Sequence, residues 1–112
     1  MGYRYVTPMG EEFSGVTTAG ADRLVRCLQQ IGFKMGTKRK RVTGDGTPLR
    51  RKFSLKETLL GVNDGIKVSA EESARMYSAL HRIAEQCEDP GFIYDVSQFF
   101  LSASRHGGFY VW

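Results

Sequence analysis

A chain of 112 residues, 41% apolar and 25% charged, has the make-up of one globular domain with one core, not of a disordered or fibrous protein. No apolar run approaches the roughly 20 residues of a membrane-spanning helix, and the start, Met1-Gly2-Tyr3-Arg4-Tyr5, lacks the apolar stretch of a secretory signal. The net charge of +4 is unevenly spread: residues 34–52 hold eight basic residues and one acid, Asp45, for +7, whereas the other 93 hold eight basic and eleven acidic residues, for −3.

Taken in order, residues 3–6 (Tyr-Arg-Tyr-Val) alternate and are rich in strand formers, so they predict a first strand. Thr7-Pro8-Met9-Gly10 breaks it, and Glu11 to Gly15 reads as loop. Thr18 is placed to cap a helix over 19–31. Its stripe is Ala21, Leu24, Val25, Leu28 and Ile31, its other face Arg23, Arg26, Gln29 and Gln30. Gly32 ends that helix, and Phe33 is positioned to fold back on Leu28.

The segment 34–53 departs from this pattern. Lys38, Arg39, Lys40 and Arg41 precede a turn signal at Gly44-Asp45-Gly46, and Arg50, Arg51 and Lys52 follow it. From Lys38 to Phe53 the only apolar anchors are Val42, Leu49 and Phe53, so this stretch reads as a basic hairpin or a loop, with Pro48 restricting its strand to an edge. Ser54 with Glu57 then suggests a short capped helical turn with Leu55 and Leu59 facing inward, closed by Gly61.

Asn63-Asp64-Gly65 is turn chemistry, and Ile66-Lys67-Val68 alternates as a half-buried strand does. Ser69 with Glu72 has the spacing of a capping box, opening a helix over 70–87. Met76, Tyr77, Leu80, Ile83, Ala84 and Cys87 form its stripe; Glu71, Arg75, Ser78, Arg82 and Glu85 lie outward, with Glu71 and Arg75 spaced to pair. The acids around the turn do not follow the spacing of a calcium loop, so they are assigned to turn and cap. Asp89-Pro90 starts a last helix over 90–105, carrying Phe92, Ile93, Val96, Phe99, Phe100 and Ala103. Gly107-Gly108 stops it, and Phe109-Tyr110-Val111-Trp112 reads as a strand beside the N-terminal strand or the 66–68 strand.

Together these elements predict an α+β fold in a single domain spanning 1–112. Three helices pack on one face of a small, mostly antiparallel sheet that includes both terminal strands, and the 39–53 hairpin is a candidate extension of that sheet.

The catalytic signatures are missing: there is no phosphate-binding loop, no nucleophile elbow and no zinc-protease or deaminase motif. Ser102, Ser104 and His106 cluster in sequence, but a nucleophile also needs a base held by a third group. His106 is more simply a cation at a helix C-terminus. His81 reads as a packed or half-exposed side chain. Cys27 and Cys87 read as separate buried thiols of a cytoplasmic protein. No metal and no cofactor is expected. The residues put forward for binding a partner or a phosphate are Lys38, Arg39, Lys40, Arg41, Arg50, Arg51 and Lys52.

Asn63-Asp64-Gly65, Val68-Ser69, Glu72 and the ending Gly107-Gly108-Phe109-Tyr110-Val111-Trp112 resemble a pattern in small uncharacterised bacterial and phage proteins. The resemblance covers roughly the last 50 residues and implies a bacterial or phage origin without an activity. The resulting expectation is a small non-enzymatic binding protein, phage- or mobile-element-encoded, that inhibits a host protein, such as a defence protein, by covering its surface. Beside it stand a nucleic-acid-binding accessory protein using residues 34–52, and a small-ligand binder or small enzyme. No membrane partner is expected, and the chain is read as a monomer or homodimer.

Overall fold

A computed structural model of the protein describes residues 2–34, 38–42, 48–52, 54–60 and 66–112. The order of elements is β1 (Gly2–Val6), β2 (Glu12–Thr17), α1 (Thr18–Gln30), β3 (Lys38–Val42), β4 (Pro48–Lys52), α2 (Leu55–Leu60), β5 (Ile66–Val68), α3 (Ala70–Ile83), a 3₁₀ turn (Ala84–Gln86), α4 (Pro90–Arg105) and β6 (Phe109–Val111).

Alternation decides which side of the sheet is the core. Tyr3 and Tyr5 of β1, Ile66 and Val68 of β5, and Phe109 and Val111 of β6 are all buried, while Arg4 and Lys67 between them are exposed. The four strands run antiparallel in the order β2-β1-β6-β5. The last strand is thus an inner one: Val111 lies opposite Tyr5 on one side and Ile66 on the other. The pairing continues into Trp112, whose N–H donates to the Arg4 carbonyl and whose carbonyl accepts from the Arg4 N–H, both at 2.8 Å. Helices α1, α3 and α4 cover the buried face, as expected for an α+β fold of this type. Leu24, Leu28, Met76, Leu80, Ile93 and Phe100 meet Tyr5 and Phe109 there. Ring pairs Phe100–Phe109 (5.1 Å) and Tyr5–Phe109 (5.3 Å) form the centre of the core.

Residues 12–17 form the edge strand β2, although 11–15 read as loop. Tyr3 pairs with Val16 but Tyr5 pairs with Phe13, so β2 carries one extra residue. That irregularity, at Gly15 (φ 76°), erases the alternation by which a strand is recognised. Helix α1 is capped by Thr17, not Thr18: its Oγ1 accepts from the Gly20 N–H at 3.0 Å. At the other end the Gly32 N–H donates to the Gln29 carbonyl and the Phe33 N–H to that of Leu28, the paired bonds of a Schellman stop. This turn takes Ile31 off the buried stripe and leaves it 40% exposed.

Ser69 caps α3 as its spacing requires, accepting from the Glu72 N–H at 3.1 Å, with its own hydroxyl 3.4 Å from Glu72 Oε1. The regular helix ends at Ile83 and not at Cys87, because the chain tightens into the 3₁₀ turn before α4. Asp89 caps α4 through its side chain, with Pro90 in the first turn. Leu55 and Leu59 of α2 point inward and are buried.

Cys27 and Cys87 are joined in a disulfide, with Cα atoms 6.0 Å apart. This corrects the reading of two separate thiols: packing of α1 against the α3–α4 connection brings together residues 60 positions apart. Disulfides persist in oxidising compartments, so the cytoplasmic expectation loses the support it drew from free thiols. None of the helices is long and apolar enough to cross a membrane among the described residues.

Candidate functional site

The basic segment forms a hairpin whose two strands make their own two-stranded sheet, separate from the four-stranded one. Its register sets Lys38 opposite Lys52, Arg39 opposite Arg51, Lys40 opposite Arg50 and Arg41 opposite Leu49. All seven residues put forward for binding therefore lie within one paired ribbon. A cation faces a cation at three successive positions. The turn signal at 44–46 and the turn at 63–65 lie outside the described residues.

Where the chain leaves α1 for this hairpin, a groove of about 410 Å³ opens between the end of α1 and the outward face of α3. It is lined by Ile31 and Phe33 from the end of α1 and by Ala74, Arg75, Ser78, Ala79 and Arg82 of α3. The pair Glu71–Arg75 anticipated from its i, i+4 spacing is not formed. Instead the Arg75 guanidinium lies 4.9 Å over the Phe33 ring, and its Nη2 donates to the Lys34 carbonyl at 3.3 Å. Arg75 thus ties the root of the hairpin to α3. Neither Arg75 nor Arg82 has a carboxylate partner among the described residues. The sequence reading placed both arginines outward but did not connect them with Ile31 and Phe33. The signal available was the pair of bulky residues flanking the Gly32 stop, one of which had to face solvent.

A second depression, of about 300 Å³, lies beside the disulfide. Its arginines are matched: Arg23 reaches Glu88 at 3.7 Å and Asp89 at 3.9 Å, and Arg26 reaches Asp22 at 2.6 Å.

Ser102 and His106 do come together, and Glu11 joins them from the loop before β2. The Ser102 hydroxyl donates to Glu11 Oε2 at 2.6 Å and lies 3.4 Å from His106 Nδ1, which is itself 4.0 Å from Glu11 Oε2. In a nucleophilic triad the imidazole stands between hydroxyl and carboxylate. Here the hydroxyl donates to the carboxylate directly, and the imidazole does not stand between the two. Ser104 is separate, donating to the Leu101 carbonyl. The cluster fastens the β1–β2 connection to the end of α4. His81 stacks on Tyr77 (5.3 Å) and meets the edge of Tyr94 (5.9 Å), whose hydroxyl donates to Glu85. That hydrogen bond, followed by partial desolvation, raises the Tyr94 phenol above its ordinary pKa.

No family model, curated protein or solved structure matches this chain.

Proposed function

We propose that the protein is a small non-enzymatic binding protein that lays the β3–β4 hairpin on an acidic surface of a partner protein and inhibits that partner by covering it. The observation that carries this reading is the register: cation opposes cation at Lys38–Lys52, Arg39–Arg51 and Lys40–Arg50. The register thus gathers six basic residues at three successive cross-strand positions, and the electrostatic complement of that concentration is an anionic surface. If the gene is carried by a phage or mobile element, as the resemblance of its last 50 residues implies, the partner is a host protein, and a defence protein fits this role.

One observation favours a second reading. A two-stranded ribbon is an element that the major groove of DNA admits, and this one is cationic along both strands. The two readings separate on a variant with Arg39, Lys40, Arg41, Arg50, Arg51 and Lys52 changed to Gln. The wild type should retain a discrete protein from nuclease-treated host lysate, and the variant should lose it. Duplex DNA binding that the variant loses, with log affinity falling against log salt at a slope of about −5 for six phosphate contacts, would replace the protein partner by nucleic acid.

A further inference from the structure

We infer that the groove between α1 and α3 receives an amphipathic acidic helix of the partner, with one apolar residue seated between two carboxylates. The inference rests on the reading of the protein as a binder of an acidic partner and names the chemistry of a second contact. Three features of the groove set that chemistry.

Its charged lining is cationic. Arg75 and Arg82 have no carboxylate partner among the described residues, whereas the arginines over the disulfide are paired with Asp22, Glu88 and Asp89. The rest of its lining is apolar or small. Ile31 is 40% exposed at the rim, and Ala74 and Ser78 are short enough for an incoming side chain to approach the α3 backbone. A phosphate chain would satisfy the two arginines but leave Ile31 uncovered; an aliphatic side chain would bury it.

The spacing selects a helix. Arg75 and Arg82 are seven residues apart on α3, two turns, or about 10.5 Å along the axis. In an occupant helix, residues seven apart lie on one face at the same separation, with an apolar residue three or four positions from each. In an extended occupant the same span is about three residues, an odd number, which would send the two carboxylates to opposite sides. The groove lies where the chain leaves α1: the Lys34 carbonyl bonded to Arg75 is four residues before β3 in sequence.

The test uses the full-length protein and a fluorescent, alanine-rich peptide of about 15 residues, long enough to be partly helical. The peptide carries two glutamates seven positions apart with leucines between them. Saturable binding in fluorescence anisotropy is expected, with amide shift changes centred on Ile31, Phe33, Ser78 and Arg82. Arg82→Glu should weaken binding roughly tenfold, the scale of one charge-assisted contact, and a peptide with one glutamate replaced by lysine should prefer this variant to the wild type. Ser78→Phe, which places a bulky ring in the lining, should weaken binding without a change in charge. The variant with six neutralised hairpin residues should bind the peptide within about twofold of the wild type, as expected for a site energetically separate from the ribbon. Absence of saturation, or equal affinity for wild type and Arg82→Glu, overturns the groove. Binding lost only with the hairpin residues places the peptide on the ribbon, which overturns the groove and leaves the hairpin reading intact. Displacement of the peptide by a duplex oligonucleotide, with shift changes at Ser78 and Arg82, assigns the arginines to phosphate and overturns the helix as occupant.

Discussion

A methyl group added at Gly108 would meet the carbonyl of Val68 and the backbone of Ser69 and Ala70, and Gly108 also has a φ of 89°. Steric collision and backbone strain therefore act together, and Gly108→Ala should destabilise the fold by about 3 kcal/mol or more. Gly10→Ala is the control: it shares a positive φ but faces open space, so strain alone should cost about 1 kcal/mol. Urea unfolding of the two variants measures the difference, and equal losses would show that the close approach is not tight. Tyr5 is the opposite case. Its hydroxyl is buried with no hydrogen-bond partner among the described residues, and burial, with Tyr3 nearby, pushes its pKa far above that of a free phenol. Tyr5→Phe should raise stability by about 1 kcal/mol near neutral pH. The raised native pKa also has a consequence in alkali. Above about pH 10 the unfolded state binds fewer protons than the native state, so stability falls as pH rises. Tyr5→Phe removes that slope, and its alkaline unfolding midpoint should move upward. A loss of stability at neutral pH would instead mean that the hydroxyl has a partner such as a buried water. Neither residue could be ranked from the sequence. Gly107-Gly108 reads only as a stop, and Tyr5 as one of several aromatics in strand-forming runs.

Helix ends were the most legible elements, because a cap depends on residues within four positions of one another. Ser69 with Glu72, Asp89 with Pro90, and Gly32 with Phe33 all fall where their spacing places them. Ser69→Ala should cost about 1 kcal/mol, read as a lower unfolding midpoint by circular dichroism. A larger loss would indicate that the buried Glu72 depends on the Ser69 hydroxyl. The elements that escaped were irregular ones: β2, whose extra residue breaks alternation, and the 3₁₀ turn that ends the periodicity of α3 early. The hairpin was visible as charge and a turn signal, but the direct opposition of its cations depends on a register that flanking residues alone do not set. The arginine groove was less visible still, since it joins one face of α3 to a capping turn some 40 residues earlier.

At the scale of the whole molecule, the disulfide closes a long loop across α1 and the α3–α4 connection. Chain-entropy reasoning for a loop of 60 residues gives roughly 4 kcal/mol of stabilisation. Reduction, or replacement of both Cys27 and Cys87 by alanine, should lower the urea midpoint accordingly. An unchanged midpoint with and without reductant would mean that the crosslink does not hold the fold. A second long-range contact joins the turn before α3 to the C-terminal strand: Gly108 packs on Val68–Ala70, and Phe109 pairs with Val68.

By itself the sequence determined the fold class, the three long helices, the N-caps of the last two, the apolar faces and the concentration of positive charge in 34–52, all of which follow from short-range spacing or composition. Only the tertiary structure decided that β6 is an inner strand, that the basic hairpin forms a sheet of its own, that Cys27 meets Cys87, and that Arg75 and Arg82 line a groove with no carboxylate partner among the described residues. Each of these depends on surfaces brought together by burial of a common core, and burial is non-directional, so local periodicity cannot specify which distant residues it joins.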